Sequence, residues 1–257
     1  MKSNGRPAAM LLDFGGVLVD VLRRPAGLRE ISLEVHELVR RERANSIGVD
    51  RIERDVRAGW KAYADWKNAE GRRRHPREIG HREFWEELVA ADWPEPSRRV
   101  VGAHATALCE RLDVATKDRP AKPDSREALA TLAEQAIPVG IVSNAMCGAG
   151  SRALVRAHGF EPYVGAQIYS DEAGVRKPNP EIFRRAAAAL GVDVERCWYV
   201  GDTIDRDVLG GRRAGVAKVI LLPSGQTRSG NDAVAQPDIV IERPSDLLAM
   251  LAGARAR

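Results

Sequence analysis

Short apolar runs that end in a polar residue recur along the chain. Three of them run from Ala8 to Leu12 before Asp13, from Pro138 to Val142 before Ser143, and from Cys197 to Val200 before Gly201-Asp202. Runs of this length without polar alternation are typical of strands buried on both faces of a parallel sheet. Because ligands bind at the carboxyl ends of such strands, we expect these polar residues to share one edge.

Helices and strands alternate through the second half of the chain, which predicts an α/β parallel sheet covered on both faces. Asp124 with Glu127 has the spacing of a capping box at the start of a helix that runs to Gln135. The other predicted elements are helices Ser151–His158, Pro180–Leu190, Asp205–Ala214 and Ser245–Leu251, and strands Ala166–Tyr169, Lys218–Leu222 and Ile239–Ile241. Gly159, Gly191 and Gly215 are the expected helix ends.

Between about Arg24 and Leu112 the apolar spacing becomes helical, without a convincing strand of a parallel sheet. The predicted helices are Ser32–Ser46, Asp50–Glu70, His81–Ala91 and Pro96–Leu112. A Pro-containing linker from Thr116 to Pro123 follows. We therefore expect a core formed by residues 1–20 and 116–257, interrupted by a helical domain over residues 21–115.

Composition narrows the classes of protein without choosing one. In 257 residues the net charge is +4, and the pI of about 9.1 does not require nucleic-acid binding. We interpret the basic run Gly71 to His75 as a solvated surface turn. Cys109, Cys147 and Cys197 show neither disulfide nor zinc spacing, and no signal peptide or membrane span is evident. A reducing cytoplasmic location without a membrane partner is the expectation.

Four segments contain residues suited to catalysis or binding, and each of them could instead have a purely structural or surface role. Asp13 could attack phosphorus, ligate a cation or simply cap a turn. Ser143-Asn144 suits phosphate oxygens but is also common in turns. Lys177-Pro178 could place a charge near a phosphoryl group, although an isolated loop lysine is usually solvated. Asp202 and Asp207 suit Mg²⁺, or could stabilise a helix N-terminus.

In this order, the four segments resemble the haloacid dehalogenase-like (HAD) hydrolase superfamily. Asp13-Phe14-Gly15-Gly16-Val17-Leu18 is similar to its first motif, in a variant form, and Ser143-Asn144 to its second. Lys177-Pro178 matches the third, and Gly201-Asp202-Thr203 with Asp207 the fourth. The helical insertion matches the C1-type cap of subfamily I. The resemblance implies a Rossmann-like core and an inserted all-helical cap domain.

The resemblance also implies roles for these residues. Asp13 would be the nucleophile that forms an aspartyl-phosphate, and Lys177 would balance its charge. Ser143 and the Asn144 backbone would bind phosphoryl oxygens. Asp13, the Gly15 carbonyl and Asp202 would hold Mg²⁺, with Asp207 orienting the metal's water shell.

Gly15 departs from the pattern of phosphatases in this family, where an aspartate at this position protonates the leaving group. General acid–base catalysis contributes about 10²–10⁴-fold to a rate, so we expect a slowed phosphatase that favours good leaving groups. Asp20 is a candidate replacement acid, but we interpret it as an N-terminal cap for the helical insertion.

The favoured function is Mg²⁺-dependent hydrolysis of a small phosphorylated metabolite, of sugar-phosphate or related type, by a monomer or homodimer. The alternatives are a 2-haloacid dehalogenase-type carbon–halogen hydrolase and a binding or regulatory protein with weak catalysis. Five aromatic residues of the insertion could face the substrate, but their helical spacing favours a core role: Trp60, Tyr63, Trp66, Phe84 and Trp85.

Overall fold

A computed structural model describes residues 5–44, 46–227 and 235–253. Its contacts divide the chain into two compact units. One comprises Met1–Val21, Arg74–Arg77 and Arg119–Arg257, and the other comprises Leu22–Arg73 and Glu78–Asp118. The short segment Arg74–Arg77, which lies inside the predicted helical insertion, therefore groups with the first unit.

The first unit is built on a six-stranded parallel sheet. Its strands are β1 (Ala9–Leu12), β4 (Val139–Ser143), β5 (Ala166–Tyr169), β6 (Cys197–Gly201), β7 (Lys218–Leu221) and β8 (Ile239–Val240), and they lie in the order β5-β4-β1-β6-β7-β8. Strand β1 lies between β4 and β6, with Leu12 opposite Ile141 on one side and Val200 on the other. The predicted α/β Rossmann-like fold is confirmed.

Helices cover both faces of this sheet. They are α6 (Ser125–Glu134), α7 (Gly148–Ala157), α8 (Ser170–Ala173), α9 (Pro180–Ala189), α10 (Leu209–Ala214) and α11 (Asp246–Gly253). Neighbouring residues of β1 enter different cores: Leu12 packs with Leu129 and Val155, whereas Leu11 packs with Phe183 and Val208. All four residues of β1 are buried, which explains why the strand reads as a continuous apolar run.

The predicted capping box at the start of α6 is wrong. Asp124 has a φ of +66° and makes no side-chain hydrogen bond to the helix N-terminus. Its carboxylate instead accepts a hydrogen bond from Ser245 Oγ at 3.1 Å. Ser125 Oγ donates to the carbonyl of Leu18, so this corner is fixed by contacts between distant parts of the chain.

The second unit is helical. Its helices are α1 (Gly27–Arg41), α2 (Val49–Glu70), α3 (His81–Glu83), which continues as a π-helix over Phe84–Val89, α4 (Glu95–Ala103) and α5 (Ala105–Thr116). A two-residue antiparallel pair joins β2 (Leu22–Arg23) to β3 (Lys117–Asp118). Among the described residues of the chain, no helix is both long and apolar enough to cross a bilayer.

Several helix boundaries in this unit differ from the prediction, and α1 ends at Arg41 and α5 at Thr116 rather than at Ser46 and Leu112. Helix α1 begins at Gly27 rather than Ser32, because the buried stripe already starts at Leu28 and Ile31. The predicted helix from Pro96 to Leu112 is two helices that meet at His104, which lies outside helical geometry with a φ of −102°. Asn45, inside the predicted helix from Ser32 to Ser46, is outside the described residues.

The aromatic residues of this unit pack largely on one another. Tyr63, Phe84 and Trp85 are buried, while Trp60 and Trp66 are partly exposed. Phe84 meets both Tyr63 and Trp85 edge to face, with ring centroids 5.7 and 5.5 Å apart. The core interpretation therefore holds for the three buried rings.

The basic residues from Arg72 to His75 are exposed, as expected for a surface turn.

Candidate active site

The site lies where β1, β4 and β6 end. Asp13 directly follows β1, Ser143 is the last residue of β4, and Asp202 directly follows β6. Because these three strands are adjacent and parallel, their carboxyl ends bring the side chains to one edge of the sheet. The structure thus brings these three predicted site residues to one edge.

Asp13 is held in a fixed orientation by three neighbours. Its Oδ1 accepts a hydrogen bond from the Phe14 amide at 2.7 Å, and its Oδ2 lies 2.8 Å from Lys177 Nζ. Burial raises the pKa of the Asp13 carboxyl, and the Lys177 charge and hydrogen bonds from Lys177 and Ser143 oppose that rise. An oriented carboxylate next to a buried cation is the arrangement a phosphoryl-accepting nucleophile needs.

Lys177 is a buried cation with only 2% of its residue surface exposed. Its Nζ also lies 2.6 Å from Asp207 Oδ1 and donates to the Tyr199 hydroxyl at 3.0 Å. Burial alone would lower the pKa of Lys177, but the carboxylates of Asp13 and Asp207 outweigh it and raise that pKa. Lys177 is therefore charged in the folded protein, and the solvated-loop reading of its sequence does not apply.

Both oxygens of the Asp207 carboxylate are already engaged. Oδ1 accepts from Tyr199 at 2.6 Å as well as from Lys177, and Oδ2 accepts from the amide and hydroxyl of Thr203 at 3.0 and 2.5 Å. Although burial acts in the opposite direction, Lys177 and Arg206 hold the pKa of Asp207 well below its ordinary value. Asp207 is thus a permanent anion whose hydrogen bonds position Lys177.

The backbone that carries Asp207 is not a regular α-helix. Residues Ile204–Val208 form a π-helical turn before α10, and Asp207 and Val208 both donate their amides to the Thr203 carbonyl. Gly201 is required here because a Cβ at that position would lie 2.3 Å from the Asp207 Cβ. Single π-helical turns often occur at functional sites.

The Asp202 carboxylate has fewer hydrogen-bond partners than that of Asp207. It is 1% exposed, and its Oδ1 is buried without a hydrogen-bond partner in the part of the chain that the structure describes. Burial, followed by the charges of Asp207 and Asp13, raises the pKa of Asp202 to about 7. Gly16, with a φ of +81°, lies behind it, and a Cβ there would be 2.2 Å from Asp202 Oδ2.

These residues fit a hard divalent cation. Asp13, Asp202 and Asp207 each place an oxygen within 4.8 Å of the others. Asp202 Oδ1 has a lone pair that a cation would satisfy, and oxygen ligands from one or two carboxylates suit Mg²⁺. Since both oxygens of Asp207 already accept hydrogen bonds, Asp207 would orient the surroundings of a cation rather than ligate it directly.

Asn144 uses its side chain to position Lys177. Its Nδ2 donates to the Lys177 carbonyl at 3.1 Å, and its Oδ1 accepts from the Lys177 amide at 2.7 Å. The adjoining loop is fixed in turn by Asn179, whose Oδ1 caps α9 and whose Nδ2 donates to the Pro76 carbonyl at 3.1 Å. Substrate contact at Asn144 therefore remains a prediction for its backbone.

Gly15 has no side chain to act as an acid, and a role for Asp20 as the replacement acid stays a prediction. A Cβ at Gly15 would lie 3.1 Å from Val21 Cγ2, so a side chain there would need a small shift of Val21. Asp20 Oδ1 lies 3.4 Å from Lys122 Nζ. The predicted role of Asp20 as a helix cap is wrong, because β2 follows it and α1 begins only at Gly27.

Sequence reasoning missed two residues that complete the site. Tyr199 belongs to the β6 run that was predicted as strand, but nothing in the pattern shows that its hydroxyl reaches Asp207. Ser224, in the loop after β7, donates to Asp202 Oδ2 at 2.5 Å. Its position after an apolar strand indicates that it lies at the same edge of the sheet, but the sequence does not indicate its contact with Asp202.

Comparison with known proteins gives a consistent result. Residues 7–215 match the profile of the haloacid dehalogenase-like hydrolases. The chain is 33% identical over 178 residues to a glyceraldehyde 3-phosphate phosphatase of Methanopyrus kandleri, a match covering 68% of this chain and 71% of that protein. It is also 33% identical over 133 residues to the pyrophosphatase PpaX of Halalkalibacterium halodurans, covering 51% and 59% of the two chains.

Solved structures share the fold at much lower identity. A dehalogenase in an intermediate complex superposes with a TM-score of 0.58 at 18% identity, covering 96% of this chain and 98% of that chain. Fold alone therefore does not separate the chemistries considered above. The profile match covers far more than half of the sequence and includes the four segments at the sheet edge. The chain belongs to the haloacid dehalogenase-like hydrolase family.

Proposed function

We propose that this chain is a Mg²⁺-dependent phosphatase that hydrolyses small phosphate monoesters through an aspartyl-phosphate on Asp13. The observation that carries the proposal is the pairing of Asp13 with buried Lys177 at 2.8 Å. The pair belongs to an acidic cluster in which Asp202 Oδ1 has no hydrogen-bond partner among the described residues. The phosphatase relatives described above support the reaction class. A sugar phosphate or a related metabolite is the proposed substrate.

The chain's own residues account for the first half of the reaction. The Asp13 carboxylate attacks phosphorus, an O–P bond forms, and the bond from phosphorus to the leaving oxygen breaks. Lys177 stays charged throughout and stabilises the phosphoryl oxygens, while the Ser143 hydroxyl and the backbone N–H of Asn144 bind them. Bound at Asp13, the Gly15 carbonyl and Asp202, Mg²⁺ would neutralise phosphoryl charge and align the group for in-line attack.

Gly15 limits which leaving groups depart readily. With no carboxyl group at this position, the leaving oxygen takes its proton from water, so its own basicity determines the rate. Water that hydrolyses the aspartyl-phosphate likewise lacks a side-chain base from position 15. We therefore expect faster turnover of acyl phosphates, phosphoanhydrides and aryl phosphates than of alkyl phosphates.

The enzyme would work in the reducing cytoplasm, as a monomer or homodimer that binds neither nucleic acid nor membrane.

A substrate panel with and without metal tests the proposal. Sugar phosphates, nucleotides, pyrophosphate, acetyl phosphate and p-nitrophenyl phosphate are each assayed in Mg²⁺ and in EDTA. We expect phosphate release in Mg²⁺ alone, reduced at least about 10³-fold in Asp13→Asn because the nucleophile is gone. Phosphate release that survives EDTA or this substitution contradicts the proposal. Metal-independent halide release from 2-haloacids, without phosphate release, would establish the carbon–halogen alternative.

A further inference from the structure

The loop that follows β7 makes two hydrogen bonds to Asp202. Strand pairing places Leu221 opposite Gly201, so this loop begins beside the residue that follows β6. Ser224 Oγ donates to Asp202 Oδ2 at 2.5 Å, and Thr227 Oγ1 donates to the Asp202 backbone carbonyl at 2.5 Å. Neither hydroxyl belongs to the four segments that carry the family resemblance.

Both hydroxyls also accept a hydrogen bond from a backbone amide of the same loop. Ser224 Oγ accepts from the Gln226 amide at 3.0 Å, and Thr227 Oγ1 accepts from the Ser224 amide at 2.8 Å. A backbone carbonyl and an ionised carboxylate can only accept, so each hydroxyl donates its one proton to Asp202.

The hydrogen bond from Ser224 engages only one of the two carboxylate oxygens of Asp202. Oδ2 lies between Ser224 and the backbone of Gly16, where a Cβ would be 2.2 Å away. Oδ1 is buried and has no partner among the described residues. A buried, half-satisfied carboxylate destabilises a fold, so the arrangement makes physical sense when a ligand completes it.

We propose that Ser224 is a positioning residue that fixes the Asp202 carboxylate so that Oδ1 is presented to the divalent cation. This inference rests on the proposed function. Without the Ser224 hydroxyl, the carboxylate can rotate, and Oδ2 loses the donor that keeps it away from the cation. Partners of this kind around metal ligands typically contribute about 10–100-fold to metal affinity.

The test compares three single variants. Ser224→Ala removes the hydroxyl, Ser224→Thr retains it, and Ser245→Ala is the matched control. Ser245 is also partly buried in the first unit and also donates to an aspartate, Asp124, at 3.1 Å. Mg²⁺ affinity is measured by isothermal titration calorimetry and by the Mg²⁺-induced increase in Tm, and kcat is measured at saturating Mg²⁺. Circular dichroism verifies that each variant is folded.

We expect the Kd for Mg²⁺ to rise about tenfold or more in Ser224→Ala, with substantial recovery in Ser224→Thr and no change in Ser245→Ala. At saturating Mg²⁺, kcat in Ser224→Ala should stay within about threefold of the parent value, because the metal itself restores the carboxylate orientation. A Kd within twofold of the parent in folded Ser224→Ala overturns the inference while leaving the proposed function intact. Failure of the parent protein to bind Mg²⁺ contradicts both.

Discussion

Replacing Asp202 with asparagine should stabilise the metal-free protein, and increasingly so at higher pH. The pKa of this carboxyl rises from an ordinary 3.8 to about 7 on folding, so the folded state holds the proton more tightly than the unfolded state. Stability therefore falls as pH rises through this range. Asparagine keeps the acceptor for Ser224 and places an amide, which cannot ionise, near the remaining carboxylates.

The difference between the pKa of Asp202 in the folded and unfolded states determines how much its ionisation changes the free energy of unfolding. Ionisation of Asp202 destabilises the folded protein by about 4 kcal/mol at pH 8 and by about 1.7 kcal/mol at pH 5. The advantage of Asp202→Asn over the parent should thus grow by about 2.5 kcal/mol between these two pH values. A difference that changes with pH isolates ionisation, because any change in packing is the same at both.

Equilibrium urea unfolding in EDTA, followed by circular dichroism at pH 5 and pH 8, measures this advantage. Saturating Mg²⁺ is the control, since it should increase the stability of the parent at pH 8 and leave the variant unchanged. An advantage that does not vary with pH, or a variant that loses stability between pH 5 and pH 8 as steeply as the parent, would refute the reasoning about Asp202.

Three further substitutions test other parts of the site. Gly15→Asp should raise turnover of an alkyl phosphate by up to about 10²-fold and that of p-nitrophenyl phosphate less than threefold; equal effects on both, compared with Gly15→Asn, would count against the leaving-group argument. Lys177→Met should lower kcat by about 10²–10³-fold while the fold, checked by circular dichroism, survives, and near-normal turnover would show that its charge is not needed. Tyr199→Phe removes a donor to Asp207 and should lower the free energy of unfolding by about 1–2 kcal/mol. Tyr169→Phe, whose hydroxyl donates to Gln167, is its control, and equal losses would argue against a special role for the Asp207 contact.

The strand tips could be predicted because their signal is local. Each of the runs before Asp13, Ser143 and Asp202 is short, apolar and buried on both faces, so composition alone marks the strand. Parallel pairing then places their ends together without any knowledge of contacts. The position of Lys177 followed only from the family resemblance, since an isolated loop lysine carries no such signal.

Contacts between distant parts of the chain could not be predicted. The spacing of Asp124 and Glu127 favours a local cap, yet Ser245 binds Asp124 from 121 residues away. Ser224 and Asp202 follow two adjacent strands and are hydrogen-bonded to each other. The carbonyl of Pro76, which lies within the predicted insertion, accepts a hydrogen bond from the Asn179 side chain. A pattern along the chain describes which face is buried, but not which distant hydroxyl completes a carboxylate.

The central claim is that Asp13 becomes phosphorylated, and trapping that species tests it most directly. The protein is mixed with ³²P-labelled acetyl phosphate in Mg²⁺, quenched in acid, and reduced with borohydride to convert an aspartyl-phosphate into homoserine. Mass spectrometry then locates the modified position, with Asp13→Asn and EDTA as controls. We predict label and homoserine at position 13 in Mg²⁺ alone and neither in the controls. Steady turnover of the same substrate with no label at Asp13, and undiminished in Asp13→Asn, would contradict the account.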